Sequence, residues 1–163
     1  MRKFLMMIAA GLLFGGAALA QTADTYQAAS DALVTKANTA LTAGSLDDAR
    51  GLYERALVAN PKNLQAYVGL GRVYEGLDRV GRGLRFYRKA LEIEPNDVTA
   101  LRYQGLAFLR RGLIDRANAN RDRLARICRD GCNALDDVEL AIEDWYATKD
   151  DEAEKVASNG TSG

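Results

Sequence analysis

The chain has 163 residues, of which 48% are apolar; 22 Lys and Arg stand against 22 Asp and Glu, and there are two prolines, two cysteines and no histidine. That length and apolar content suit one helical domain with a sizeable core. The missing imidazole removes the ready general base near neutral pH, His metal ligands and Ser-His or Cys-His nucleophile pairs; with no other paired groups of catalytic type, the chain reads as a non-enzyme without a cofactor.

Residues 1–20 read as a secretory signal peptide. Arg2 and Lys3 form a basic start, Phe4 to Ala17 is an apolar run broken by glycines, and Ala18-Leu19-Ala20 is a small-x-small cleavage site before Gln21. The rival is a retained anchor, because the apolar stretch approaches the minimum for a membrane span. The cleaved form predicts a mature chain from Gln21, located in a bacterial periplasm and with no remaining membrane span. A short lead-in, residues 21–29, follows.

The two prolines expose a repeat. LYERALVANPKN (52–63) and FYRKALEIEPND (86–97) superimpose with an offset of 34 residues, aligning Tyr53 with Tyr87, Ala56 with Ala90 and Pro61 with Pro95. Units are expected at 30–63, 64–97 and 98–131, each a pair of helices that cannot bury its apolar face alone and must stack on its neighbours. In the second unit Tyr67, Leu70, Gly71 and Tyr74 fall at i, i+3, i+4 and i+7, one stripe of a helix. Gly71 and Gly83 each cost about 1 kcal/mol of helix propensity relative to Ala, so close approach of the paired helices is the expected compensation. Each proline stops its helix by pushing Asn60 or Glu94 out of the right-handed helical region. In the third unit Leu101, Gly105, Phe108 and Ala117 are kept, but Arg121 stands at the aromatic position and Arg129 at the proline position.

These residues resemble the tetratricopeptide repeat, most fully in the second unit and least in the third, over about 100 of the 143 residues left after signal removal. The resemblance implies an all-α, right-handed superhelical stack of helix-turn-helix units whose first helices line a concave groove. It places on that groove Asp31, Val34, Thr35, Asn38 and Thr42 in unit one, Gln65, Val68, Arg72 and Glu75 in unit two, and Thr99, Arg102, Tyr103, Leu106 and Arg110 in unit three. Chaperone-adaptor members of the family clamp a terminal carboxylate with Lys and Asn; Asn38 is kept here, whereas Val34 and Gly69 stand at other clamp positions.

After the third unit, Leu135, Val138, Ile142 and Trp145 share one face, so residues 132–149 are expected to form a helix that caps the stack. Beyond 150 large apolar residues are absent, and 150–163 reads as a disordered acidic and polar tail. Cys128 and Cys132, in CRDGC, lie between the last repeat helix and this cap. An exported chain with one cysteine pair favours a disulfide staple; a redox couple and a Cu(I) site remain alternatives. Residues 72–129 carry fourteen basic and seven acidic residues, residues 130–155 two basic and ten acidic, so the cap and the middle of the chain are electrostatically complementary.

The function expected is a protein-binding scaffold in the bacterial envelope. Its partner is a protein or peptide held through Asn38, Gln65, Arg72, Glu75, Arg102, Tyr103, Leu106 and Arg110, with acidic and aliphatic or aromatic side chains of its own. Arginines at helical spacing read as a solvated face, not as a nucleic-acid patch. A thiol-disulfide or copper-handling factor using Cys128 and Cys132 is the alternative. Oligomeric state is left open.

Overall fold

The computed structural model describes residues 15–160. The basic start of the expected signal and most of its apolar run lie outside the described residues. Among the described residues seven helices follow one another: α1 (Gly15–Thr42), α2 (Leu46–Ala59), α3 (Leu64–Gly76), α4 (Val80–Ile93), α5 (Val98–Arg110), α6 (Ile114–Ile127) and α7 (Asn133–Gly160). They pair as hairpins α1–α2, α3–α4 and α5–α6.

Local chemistry recurs with the 34-residue period. Asn63 caps α3 by accepting from the Ala66 N–H at 3.1 Å, and one period later Asp97 caps α5 by accepting from Ala100 at 2.7 Å. Asn60 and Glu94, each preceding a proline, are extended at φ −138° and −131°, as the proline requires. The turns inside the hairpins share a left-handed residue at Gly44, Asp78 and Gly112, with φ of 76°, 56° and 68°. Asp78 holds that conformation without being glycine, which short polar side chains tolerate.

Burial shows why no repeat stands alone. The first core cluster joins Val34, Ala37, Ala49, Tyr53 and Ala56 of the first hairpin to Ala66, Leu70 and Val73 of α3. Ala100 and Ala107 of α5 close the second cluster around Tyr87, and Val138 and Ile142 of α7 close the third around Leu101, Ala117 and Leu124. The cap therefore stands where the first helix of a fourth repeat would stand. In the third hairpin the ring position is held by Arg121, which pairs with Asp122 at 2.8 Å. Its neighbour Asn120 turns inward, donating to the Leu101 carbonyl at 3.1 Å and to Gln104 Oε1 at 3.0 Å.

Both end helices run longer than the sequence pattern suggests. α1 is continuous through the expected lead-in, with Asp24 to Ala29 exposed and the core starting at Ser30. α7 does not stop at 149: the segment expected to be disordered is helical as far as Gly160. Apolar content is the wrong criterion there. Glu, Ala and Lys are strong helix formers without a buried face, and Lys149 pairs with Glu152 at 2.7 Å one turn on.

Candidate docking groove

The first helices lie side by side: α3 touches α1 and α5, and α5 touches α7. Among the described residues no contact joins α2 to α4 or α4 to α6. The stack is thus closed along its first helices and splayed along its second ones, which makes the first-helix face the concave one.

On that face two arginines lie against the ring of Tyr103 in α5. The Arg72 guanidinium sits 4.9 Å from its ring centroid and that of Arg102 sits 4.8 Å away. Tyr103 also stacks on Tyr87, with centroids 6.1 Å apart and ring planes 14° from parallel. The Tyr87 hydroxyl donates to Glu75 Oε1. Burial, and then the Glu75 carboxylate, hold its phenol far above the ordinary tyrosine range; burial also raises Tyr53.

The three groove arginines differ in their partners. Arg102 pairs with Asp137 of α7 at 2.5 Å, so the basic middle and acidic cap meet as their charges suggest. Arg110 reaches back one repeat, to Glu75 Oε2 at 3.2 Å and Asp78 at 3.1 Å. For Arg72 no carboxylate among the described residues lies within ion-pair distance.

The remaining positions fall elsewhere. Asn38 Oδ1 accepts from the Tyr53 hydroxyl at 2.6 Å, and the Tyr53 ring fills the space beside Gly69, so this corner is occupied from within the chain. Gln65 is exposed in the first turn of α3, away from the Arg72–Tyr103 stack along the helix. Val34 and Val68, expected to line the groove, are core residues with 7% and 3% of their surface accessible. They point into the contacts between successive hairpins, where burial of a β-branched side chain outweighs display. Asp31 accepts from Asn63 at 2.9 Å, and Thr35 and Thr42 donate to carbonyls of their own helix.

A feature absent from the sequence reading lies between α5 and α7. Leu106, Leu109 and Ala141 with Trp145 line an open cleft of about 480 Å³, rimmed by Arg110, Asp144 and Lys149. The sequence pattern places Trp145 on the apolar stripe of the cap, with docking of a partner as the less favoured alternative; its position beyond the buried Ile142 is the signal for that alternative. Cys128 and Cys132 form a disulfide with Cα atoms 5.7 Å apart, bridging the end of α6 and the start of α7 around Gly131 at φ 85°. Among the described residues there is no group of three or more His, Cys, Asp or Glu placed to hold a metal.

Comparison with known proteins agrees with this architecture. The tetratricopeptide repeat family model matches residues 34–98. The chain is 30% identical over 115 residues to the protein CTR9 homolog of Arabidopsis thaliana, covering 70% of this chain and spanning only 10% of that relative's length. Among solved structures, the Yersinia enterocolitica type III secretion chaperone SycD, in complex with a peptide of the translocator YopD, superimposes with a TM-score of 0.64 at 13% identity, over 73% of this chain and 93% of that one. The first repeat domain of Spaghetti (RPAP3), bound to the HSP90 peptide SRMEEVD, gives 0.64 at 16% identity, over 72% and 93% of the two chains. Residues 34–98 thus match the tetratricopeptide repeat model, and the periodic caps and shared cores carry the same helical-repeat architecture through α1–α2, α3–α4 and α5–α6, with α7 in the place of the next first helix.

Proposed function

We propose that the chain is a non-catalytic interaction scaffold that holds a partner peptide or helix along its concave face. One observation carries the reading: Arg72 is presented over Tyr103 with no carboxylate beside it, while Arg102 and Arg110 are already neutralised. A partner carboxylate would satisfy Arg72 as a charge-assisted hydrogen bond, and an adjacent aliphatic or aromatic side chain would bury on Tyr103 or in the Leu106–Trp145 cleft. The SycD and RPAP3 structures, each holding a peptide on the same fold, support this use of the architecture. The occupied corner at Asn38 and Gly69 argues against a clamp for a terminal carboxylate at that end.

The setting we infer is the bacterial envelope, reached by cleavage after Ala20. The motif at residues 1–20 supports it, as does a disulfide in a chain with no other cysteine. Such cleavage would spare the core, whose first buried residue among those described is Ser30. Capture of partners from an envelope extract by the wild-type protein and by Arg72→Glu tests the scaffold reading. Loss of a specific partner with the variant supports it, and equal recovery of every partner overturns it. Amino-terminal sequencing of the protein recovered from that fraction tests the location, with Gln21 expected as the first residue.

A further inference from the structure

The second helices carry an unused surface of opposite character to α7. Along α4, residues 79–93 hold Arg79, Arg82, Arg85, Arg88 and Lys89 against the single acid Glu92. All five cations are exposed, and only Lys89 has a carboxylate within ion-pair distance among the described residues, Glu92 at 2.7 Å. Between them Phe86 stacks on Tyr74, with centroids 5.2 Å apart and planes 4° from parallel. Hollows of about 350 Å³ and about 280 Å³ flank the Phe86 ring, walled by these arginines. Such a ridge presents cations around an accessible ring.

The matching surface is on α7. Glu143, Tyr146 and Asp150 share one exposed face, and Tyr146 keeps 47% of its surface accessible. On α4 the order is cation, ring, cation at Arg82, Phe86 and Lys89, with offsets of four and three residues. Read from its C-terminal end, α7 gives anion, ring, anion at Asp150, Tyr146 and Glu143 with the same offsets. Each triplet spans about 10 Å of helix. Laid antiparallel, the two helices oppose Arg82 to Asp150, Phe86 to Tyr146 and Lys89 to Glu143. Within one chain they do not meet, since α7 packs on α5 and α6 alone among the described elements.

We propose that the outer face of α4 is a docking surface for α7 of a second copy of this chain, in a reciprocal two-fold pair. In that pair the two-fold axis makes the contact twice and closes the assembly as a dimer, whereas the same contact without the axis would run head to tail into a filament. The surfaces are exposed and charged, so the association weakens as salt rises. The Arg72–Tyr103 stack takes no part in this contact, and the test below needs no partner peptide, so its outcome is separate from that of the scaffold reading.

Sedimentation velocity of the purified full chain, over a concentration series at low and high salt, is the test. The expected result is a monomer–dimer equilibrium. Arg82→Glu with Lys89→Glu, and separately Glu143→Lys with Asp150→Lys, each raise the dimer dissociation constant at least about tenfold. Mixing the two variants restores the dimer, because the reversed surfaces are complementary to each other. Circular dichroism equal to wild type in both variants separates lost docking from lost folding. A wild-type monomer at every concentration overturns the proposal, including one whose basic ridge instead binds anionic vesicles. So does a dimer indifferent to both variants, or a mixture of folded variants that stays monomeric.

Discussion

The ring of Tyr53 fills the space that a side chain at Gly69 would need: a Cβ built on Gly69 would stand 2.2 Å from Tyr53 Cζ. The ring cannot swing away cheaply, because its hydroxyl is held by Asn38 at 2.6 Å and its body is fully buried. Gly69→Ala should therefore destabilise the fold by about 1–3 kcal/mol through overpacking. Gly71→Ala, facing Tyr87 at 2.2 Å, should do the same. Gly51→Ala in α2, with nothing within 4 Å, should instead gain up to about 1 kcal/mol of helix propensity. Urea denaturation of the three variants checks the opposite signs.

Alkaline stability should depend on Tyr87. Its phenol stays protonated in the folded chain far above the pH at which the unfolded chain ionises, near 10. The folded state then binds more protons than the unfolded state, so this contribution is complete below about pH 10 and is lost as pH rises beyond it. Tyr87→Phe should be less stable than wild type at neutral pH, having lost the hydrogen bond to Glu75, and should lose less stability between about pH 9 and pH 11. Denaturation midpoints of both proteins across that range give the comparison.

Arg102 and Asp137 tie the cap to the third repeat at a half-exposed site, with 31% and 40% of their side-chain surfaces accessible. A double-mutant cycle of Arg102→Ala and Asp137→Ala should give a coupling of about 0.5–1 kcal/mol that shrinks in high salt. A coupling near zero at low salt would show that the apolar seam of Val138 and Ile142 holds the cap without it.

How far the sequence carried these results depends on the range of the interaction. Pro61 and Pro95 act on their own neighbours, and the extended Asn60 and Glu94 follow from local sterics. The small residues read as sites of close approach are that: a Cβ on Gly83 would meet the Gly71 carbonyl at 2.8 Å. The left-handed turn at residue 78 was hidden because Asp occupies it where Gly44 and Gly112 mark the other two. Pairings such as Arg110 with Glu75 join residues 35 apart, and only the packed hairpins determine which cation meets which acid. The same holds for Val68, which the family resemblance places on the groove and the next hairpin covers. The length of α7 was missed because helix propensity without an apolar stripe leaves no periodic signal.

Replacing Cys128 and Cys132 together with Ser should cost at most about 2 kcal/mol, the entropy of closing a five-residue loop. Partner capture should survive the change. A thiol-disulfide role would show otherwise: the pair would titrate within the periplasmic range of potentials instead of resisting reduction, and function would fail in the folded double variant.

The most direct test of the scaffold places a photo-crosslinking side chain at one face or the other. Leu106 stands on the concave side beside the cleft, while Val58, 86% accessible, stands near the end of α2 on the splayed side. The account predicts that the captured partner is crosslinked from position 106 and not from position 58. A partner crosslinked from 58 alone would contradict it.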